Sequence, residues 1–398
     1  MRPVRVAQLV ETLAAGGAEA LAIDIAGEMA SRGHVSDLFV VRGGGPFLAR
    51  VGPDVGVVDL TRGENASGQV ERIAQFLGAC RALERSLRQR RVEVLQTHLP
   101  KANFLGLMMA RRGVCRVYAT VHNNREFDYG DNAGAAKRAL RRRGYKAMLG
   151  CCTGVVAVSE QVKHSLVEQL GADATQASRI TVVPNGIRIR PPVTAEVRER
   201  ARKRWGVTGD EVLIVGVGRL TRQKNFAALV EALEAVGGPG GRWRCIIAGD
   251  GELRGQLENL LAAKGLAAHV TLPGLVEDVP ELLAAADVFC LPSAFEGLPL
   301  VLLEAMVAGL PVVAFTIDGV TDVVQDGVQA SLAAPGDVGA LGRALRNLVD
   351  DDVRRAALGQ AGRATAESSF NMKSMMDRLE AIYGGTSPNL AGSRSSGC

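Results

Sequence analysis

Short apolar runs alternate with amphipathic stretches along most of the chain. The runs VRVAQLV, VSDLFVV, VGVVDL, VEVLQTH, VCRVYATVH and VVAVS predict strands, and helical stretches are predicted over about residues 17–31, 70–90 and 102–112. Continuous apolar strands joined by helices are typical of a parallel sheet that is covered on both faces. The first half of the chain is therefore predicted to form a doubly wound α/β domain.

A junction rich in proline and glycine interrupts this alternation. It reads ITVVPNGIRIRPPVT, and a second alternation follows it with EVLIVGVG, CIIAGDG, HVTLPG, VFCLPS and PVVAF. We therefore expect an α/β fold of two doubly wound, Rossmann-like domains that face each other across a cleft, over residues 1–185 and 186–368. We expect a helix over 369–383 to pack back on the first domain, and 384–398 to be a disordered tail.

The composition agrees with a soluble chain of two α/β domains. The 398 residues are about twice the usual domain size, and 47% of them are hydrophobic. The seven cysteines include no C-x-x-C pair, which favours reduced thiols in a cytoplasmic protein over disulfides or a zinc site. No signal peptide is expected at the N-terminus. No stretch reaches about 18 uninterrupted apolar residues, so no membrane-spanning helix is expected either.

The net charge of +5 is distributed unevenly along the chain. Residues 1–190 contain 27 Lys and Arg against 17 Asp and Glu, whereas the remainder contains 20 against 25. The basic residues are densest from Lys137 to Lys146, which indicates either a solvated helix face or a peripheral contact with an anionic membrane. No recognition motif accompanies them, so nucleic acid is not expected as a partner.

Two glutamates mark the most informative segment, CLPSAFEGLPLVLLEAMVAGLPVVA. The pattern places Glu296 in the loop after a buried strand, and Glu304 near the start of the following helix. Ligands of open α/β sheets bind outside the carboxyl ends of the strands, where these carboxylates could accept hydrogen bonds from sugar or ribose hydroxyls. The alternative is a structural pair, one acid capping the helix and the other solvated.

Two cations follow an earlier strand of the second half. In IVGVGRLTRQKN, Arg219 and Lys224 lie between a strand and a helix, where two fixed cations suit a diphosphate. The segment IIAGDGE adds Gly249 and Gly251 at the next strand end. The third glycine of a dinucleotide fingerprint is absent from the first segment, which argues against a nicotinamide cofactor. The strand-end segments contain no D-x-D pair and no clustered His/Cys set, so no bound metal is expected.

The strand ends of the first half also carry polar residues. His98 and His122 close successive predicted strands, where a neutral imidazole could orient a hydroxyl or accept a proton. Gly16 and Gly17 lie at a strand-to-helix turn, where a helix N-terminus favours an anion. A plain tight turn explains the glycine pair equally well.

Together these motifs resemble one family. GGAE, VPNGI, GRLTRQKN, AGDGE and EGLPLVLLEAMVAGLPVVA are similar to segments of the retaining nucleotide-sugar glycosyltransferases of family 4, which have the GT-B fold. The resemblance covers residues 4–383. It implies transfer of a sugar from a nucleotide-diphosphate donor to a hydroxyl of a lipid-linked or cell-surface glycan, in polysaccharide, lipopolysaccharide or glycolipid biosynthesis. A nucleotide-sugar epimerase of the same fold and a non-catalytic nucleotide-sugar binding protein are the alternatives.

The resemblance also implies the conditions of the reaction and the roles of residues. It implies no cofactor besides the donor and no metal. The cysteines predict a cytoplasmic protein, and the basic run, if it is not a solvated helix face, predicts a peripheral position at the inner face of the cytoplasmic membrane. Arg219 and Lys224 would hold the donor diphosphate and Glu296 the transferred sugar, and with His122, beside the reacting sugar, they form the expected catalytic set. Glu304 would bind the nucleotide ribose. Further donor-site residues would be Gly249, Gly251, Val276 (facing the base), Gly297 and Leu298, while Gly16, Gly17 and His98 would line the acceptor and phosphate side.

One segment departs from the family pattern. After PVVAF, many members have Gly-Gly followed closely by Glu, whereas this chain has TIDGVTDVV. The part of this loop in donor choice is therefore open, and structural support is the expected role.

Overall fold

The structure is a computed structural model that describes residues 2–14, 16–60, 69–128, 134–237 and 241–385. The chain divides into two compact units. Unit 1 comprises Met1–Asn185 and Lys373–Cys398, and unit 2 comprises Gly186–Met372. Of the predicted tail, residues 386–398 lie outside the described residues.

Unit 1 is built on a parallel sheet. Its strands are β1 (Arg5–Val10), β2 (Val35–Val40), β3 (Val55–Asp59), β4 (Val94–His98), β5 (Arg116–Val121), β6 (Gly154–Ala157) and β7 (Ile180–Val182). Its helices are α1 (Gly17–Ser31), α2 (Gln69–Gln89), α3 (Pro100–Arg111), α4 (Ala135–Cys151), α5 (Glu160–Leu170) and α6 (Ala174–Ser178). Over the described residues the seven strands are ordered β3-β2-β1-β4-β5-β6-β7.

Unit 2 repeats this architecture with different strand lengths. Its strands are β8 (Val212–Val217), β9 (Trp243–Ala248), β10 (Val270–Thr271), β11 (Val288–Leu291), β12 (Val312–Phe315) and β13 (Ala330–Ala333). Its helices are α7 (Ala195–Arg204), α8 (Phe226–Ala232), α9 (Arg254–Ala263), α10 (Val279–Ala285), α11 (Leu300–Val307), α12 (Val338–Asp350) and α13 (Asp352–Ser369). The described part of the sheet has six parallel strands in the order β10-β9-β8-β11-β12-β13.

Strand burial explains why the apolar runs are continuous. Every residue of β4, β6, β11 and β12 is buried, because central strands of a parallel sheet are covered on both faces. In the edge strand β3 only Val55 is buried, and the residues after it are half-buried or exposed. The predicted fold class of two Rossmann-like α/β units is confirmed.

Two strands were not predicted from the sequence. Ile180–Val182 belongs to the segment that we interpreted as the junction, but it forms the edge strand β7 beside β6. Ala330–Ala333 was missed for a different reason, because its sequence ASLA lacks the β-branched residues that mark strands. Pairing with β12 along four residues makes it a strand.

The last described helix, α14 (Met372–Gly384), belongs mostly to unit 1. The Tyr118 hydroxyl donates to the Ile382 carbonyl at 2.9 Å, and the Arg116 guanidinium donates to the carbonyl of Tyr383. Arg32 forms an ion pair with Asp377 at 2.7 Å. The residues just before α14 stay with unit 2 because Ile187 exchanges backbone hydrogen bonds with the segment 370–372.

The helices and cysteines add two findings. Among the described residues, no helix combines the length and the apolar composition that crossing a membrane requires. Within the same residues no cysteine forms a disulfide bond; the cysteines there are Cys80, Cys115, Cys151, Cys152, Cys245 and Cys290.

The strand orders define where each sheet can bind a ligand. In unit 2, β8 connects through α8 to β9 on one side, while β11 lies on its other side. The order therefore reverses between β8 and β11, and the carboxyl ends of these two strands form a topological switch point. In unit 1 the corresponding point lies between β1 and β4.

Candidate functional site

The switch point of unit 2 brings together the two most informative segments of the sequence. The turn after β8 carries Arg219 and Lys224, and the loop after β11 carries Glu296. The backbone N–H of Ala294 donates to the carbonyl of Gln223 at 2.8 Å, which joins the two segments directly. The turn ends at Asn225, a left-handed residue with a φ of 50° that begins α8.

Lys224 and Glu296 form a partly buried ion pair. Lys224 Nζ lies 2.6 Å from Glu296 Oε1, and their side chains are 17% and 7% exposed. The alkyl chain of Lys224 lies over Gly218, where a side chain would crowd it. An ammonium and a carboxylate are therefore held together, with little solvent, at the point where an open α/β sheet binds its ligand.

Two neutral side chains fix the orientation of this carboxylate. The Ser293 hydroxyl is fully buried and donates to Glu296 Oε1 at 2.7 Å. Gln223 Nε2 donates to the carbonyl of Phe295 at 3.2 Å and lies 3.4 Å from Glu296 Oε2. Sequence reasoning did not identify Ser293 and Gln223 as site residues. Their positions beside Glu296 and Lys224, in polar turns after strands, were the available signal.

Gly249 and Gly251 have a steric role in the structure. Gly249 has a φ of 138°, and a Cβ there would overlap the carbonyl oxygen of Gly218. A Cβ on Gly251 would overlap the backbone of Leu220. The two turns also exchange hydrogen bonds, since Leu220 N–H donates to the Asp250 carbonyl at 3.0 Å. Both glycines therefore hold the turn after β9 against the turn that carries Lys224.

The remaining predicted donor residues differ in exposure and in their position on the elements of unit 2. Arg219 is exposed, and its guanidinium makes no hydrogen bond or ion pair within the described residues. Glu304 is half-buried and is the fifth residue of α11, so our placement of it near the start of that helix was wrong. Val276 is half-buried in the loop between β10 and α10.

The loop that departs from the family pattern packs beneath the Glu296 turn. Gly319, with a φ of 76°, lies against the backbone of Glu296 and Gly297, where a Cβ would overlap the Gly297 carbonyl. Gly297 and Leu298 are both buried. This contact gives the TIDGVTD loop a supporting position directly behind the carboxylate.

In unit 1, the two predicted histidines are in contact. His98 is the last residue of β4, His122 follows β5, and these strands pair in parallel. His98 Nδ1 lies 3.0 Å from His122 Nε2, and His98 Nε2 lies 2.8 Å from Gln8 Oε1. Burial lowers the pKa of both imidazoles, that of His122 to about 4, so both are neutral near pH 7. Sequence reasoning missed Gln8, whose signal was one amide inside the apolar strand VRVAQLV.

Gly16 and Gly17 lie at the N-terminus of α1, and the first turn of this helix already contains an acidic residue, Glu19. Gly16 is the N-cap of α1, with no side-chain cap, and Gly17 is its first residue. The Glu19 carboxylate lies where a side chain on Gly16 would be, close to the helix N-terminus that attracts anions. Nearby, Glu11 accepts from Lys101 at 2.6 Å and from Arg42 at 2.7 Å.

A buried carboxyl lies four residues after His122. Glu126 is 2% exposed, accepts a hydrogen bond from the Tyr145 hydroxyl, and lies near Arg141. Burial raises the pKa of Glu126 to about 7, although the hydrogen bond from Tyr145 and the charge of Arg141 oppose the shift. The Tyr145 oxygen in turn accepts from Asn103 Nδ2 at 3.1 Å. This network links the loop after β5 to α3 and α4.

The basic run lies on α4. Lys137, Arg142 and Lys146 are exposed, whereas Arg141 is half-buried and donates to the carbonyl of Phe127 at 3.1 Å. Leu140 is exposed on the same helix. The run is therefore a mostly solvent-facing basic surface with one member tied into the fold.

Family comparison decides which class of protein carries these sites. Residues 15–190 match the model of "Glycosyltransferase Family 4", and residues 197–365 match "Glycosyl transferases group 1". A GDP-mannose-dependent alpha-(1-6)-phosphatidylinositol monomannoside mannosyltransferase of Mycolicibacterium smegmatis is 30% identical over 71% of this chain and 73% of its own. The chain belongs to the nucleotide-sugar glycosyltransferases.

Other relatives of this glycosyltransferase agree with that assignment. A UDP-Gal:alpha-D-GlcNAc-diphosphoundecaprenol alpha-1,3-galactosyltransferase of Escherichia coli is 28% identical over 76% of this chain and 78% of its own. The crystal structure of HepE of Anabaena, in complex with UDP-glucose, superposes with a TM-score of 0.81. That structure covers 95% of this chain and 99% of its own at 20% identity, and it supports the GT-B fold class. The comparisons thus favour the transferase over the epimerase and the binding protein.

Proposed function

We propose that this glycosyltransferase moves a sugar from a nucleotide-diphosphate donor to a hydroxyl of a lipid-linked or cell-surface glycan, with retention of anomeric configuration. The observation that carries the proposal is the Lys224–Glu296 ion pair at the β8–β11 switch point. A fixed ammonium suits a diphosphate, and an adjacent oriented carboxylate suits sugar hydroxyls. Glu304 is assigned to the ribose on the strength of the E-x7-E spacing alone.

In the proposed step, the acceptor oxygen bonds to the anomeric carbon as the bond from that carbon to the diphosphate oxygen breaks. The acceptor proton passes to the departing phosphate oxygen on the same face of the sugar, so the configuration is retained. Arg219 and Lys224 stabilise the negative charge that develops on the leaving diphosphate. Glu296 positions the sugar and does not act as the nucleophile. Because two cations supply the charge, the proposed reaction needs no metal.

Two lines support a lipid-linked acceptor. The Escherichia coli relative acts on a diphosphoundecaprenol-linked sugar and the Mycolicibacterium smegmatis relative on a phosphatidylinositol mannoside, according to their names. The exposed basic residues of α4 would lie favourably against an anionic leaflet, since each Lys or Arg near such a surface contributes about 1 kcal/mol. The two relatives use different nucleotides, so the base of the donor stays open between UDP and GDP.

A donor screen tests the proposal. The purified protein is incubated with UDP-glucose, UDP-galactose and GDP-mannose, and release of the nucleoside diphosphate is followed by NMR. We expect slow hydrolysis of one donor, with the released sugar first appearing as the anomer present in the donor. The same hydrolysis in excess EDTA tests metal independence. Failure to release any sugar, or release of the opposite anomer, would contradict the transferase chemistry proposed here.

A matched pair of arginines tests the diphosphate assignment. Arg219→Ala should weaken binding of the free nucleoside diphosphate about tenfold or more, because a charge-assisted hydrogen bond contributes about 1.5–3 kcal/mol. Arg222 lies in the same turn, is also exposed, and serves as the control. Equal affinities of the Arg219→Ala and Arg222→Ala variants in calorimetry would remove Arg219 from the donor site.

A further inference from the structure

The three side chains Gln8, His98 and His122 form a hydrogen-bonded row across the switch point of unit 1. Gln8 lies on β1, His98 ends β4, and His122 follows β5. Gln8 and His98 are fully buried, while His122 is half-buried at the end of the row. Within the described residues, Nδ1 of His122 has no hydrogen-bond partner. The row therefore has a closed end at Gln8 and an open end at His122.

The direction of the hydrogen bonds follows from the Gln8 amide. The Gln8 oxygen faces His98, while Gln8 Nε2 is buried and has no hydrogen-bond partner within the described residues. An amide oxygen can only accept a hydrogen bond, so the ring nitrogen that contacts it has to donate. That oxygen lies 2.8 Å from His98 Nε2, which must therefore carry the proton.

The same reasoning extends to His122. A neutral imidazole has one N–H, so His98 Nδ1 is an acceptor, and the group 3.0 Å from it, His122 Nε2, must donate. Neutral His122 is then left with an unprotonated Nδ1. We propose that Gln8, through His98, is a positioning residue that keeps His122 in the Nε2–H tautomer, so that Nδ1 of His122 accepts a hydrogen bond from a substrate hydroxyl.

This inference rests on the proposed function for the identity of the substrate, but the tautomer can be measured without it. The protein contains five histidines, which makes assignment by single variants practical. Two-bond ¹H–¹⁵N correlation spectra of histidine-labelled protein identify the protonated nitrogen of each ring. We expect Nε2–H on both His98 and His122 in the unsubstituted protein. Protonation of His122 at Nδ1 would overturn the proposal.

Variants of Gln8 test the positioning role. Gln8→Leu removes the acceptor and should release His122 into a mixture of tautomers, whereas Gln8→Glu retains an acceptor and should retain the Nε2–H form. Gln96→Leu is the matched control, because Gln96 is a second buried glutamine whose amide donates to Thr120 at 2.8 Å. An unchanged tautomer in Gln8→Leu would show that Gln8 does not set it.

The kinetics of the donor that the protein hydrolyses in the donor screen distinguish the positioning role of Gln8 from the proposed transferase function. In Gln8→Leu we expect kcat to fall about tenfold with KM within about twofold, and Gln8→Glu to keep most of kcat, as expected for a group that orients a reacting hydroxyl. A changed tautomer with unchanged kcat would disprove the acceptor role of Nδ1 and leave the transferase proposal intact. If no donor is turned over at all, the proposed function fails, while the spectra still decide the tautomer.

Discussion

The ammonium of Lys224 and the carboxylate of Glu296 are 2.6 Å apart although 72 residues separate them in the chain. Their contact exists because β8 and β11 are neighbours in the sheet, so that the turns after both strands meet. The charge of the Lys224 ammonium is therefore already balanced by Glu296 in the absence of a ligand. In the proposed donor site, a bound diphosphate would therefore share Lys224 with Glu296.

This sharing predicts opposite effects for the two partners. Lys224→Met should weaken binding of a nucleoside diphosphate about tenfold or more, because one charge-assisted contact is lost. Glu296→Gln should leave that affinity unchanged or raise it, since Lys224 loses a competing carboxylate, yet sugar transfer should fall about a hundredfold. Calorimetry and donor hydrolysis measure the two quantities. Weaker nucleotide binding by Glu296→Gln would contradict this division of roles.

Ser293 should matter more for turnover than for binding. Ser293→Ala removes the buried hydroxyl that donates to Glu296 Oε1. We expect a loss of about 1 kcal/mol in stability and a fall of about tenfold in kcat, with the affinity for nucleoside diphosphate unchanged. Ser293→Thr, which keeps a hydroxyl, should restore part of kcat. Equal kcat values for the alanine variant and the unsubstituted protein would show that the hydroxyl does not orient the carboxylate.

The glycine at the end of β9 should tolerate no side chain. Gly249→Ala places a Cβ against the Gly218 carbonyl at a φ of 138°, so we expect a loss of about 1–3 kcal/mol in stability and a displaced Lys224 turn. Gly255→Ala is the control, because it lies in α9 with open space around it and should stabilise the helix by about 0.5–1 kcal/mol. Urea unfolding of both variants measures the difference, and equal midpoints would refute the steric account.

Stability should decrease as the pH rises through the titration of Glu126. Its pKa is raised to about 7 in the folded protein, so between about pH 4.5 and 7 the folded state binds more protons than the unfolded state. The contribution is fully present below this window and is lost above it, amounting to roughly 2–4 kcal/mol. Glu126→Gln keeps an acceptor for Tyr145 and should remove this part of the pH dependence.

The pH effect is measured from urea midpoints at pH 5 and pH 8. Glu199→Gln provides the control, because it is the same substitution at an exposed position of α7. If Glu126→Gln and the unsubstituted protein lost the same stability between the two pH values, Glu126 would have an ordinary pKa.

Most of the fold could be predicted because buried parallel strands have continuous apolar sequences. Val288–Leu291 and Val312–Phe315 are such runs, and both are central strands in which every residue is buried. Ala330–Ala333 could not be predicted, because its strand conformation comes from pairing with β12 and not from its own residues. The same pattern of strands and turns placed Lys224 after β8 and Glu296 after β11, where the structure has them.

The detailed contacts of the site could not be predicted in the same way. The involvement of Ser293 and Gln8 depends on which strands are adjacent and on the direction of each side chain, which no local pattern encodes. Gly249 was predicted as a donor-site residue, and the structure adds a steric role that no local pattern shows, because a Cβ there would overlap the carbonyl of Gly218. Sequence patterns report burial and turn geometry, and long-range polar contacts appear only once the sheet order is known.

Unit 1 is assembled from two stretches of chain that unit 2 separates. The hydroxyl of Tyr383 donates to Gln96, and the Tyr118 hydroxyl reaches the Ile382 carbonyl, so α14 completes the polar interior of the sheet that begins at residue 5. During synthesis from the N-terminus, this interior has to wait until unit 2 has left the ribosome. Unit 1 is therefore begun first and completed last. The Gln96 oxygen lacks the hydrogen bond from Tyr383 for as long as translation of nearly 290 further residues takes.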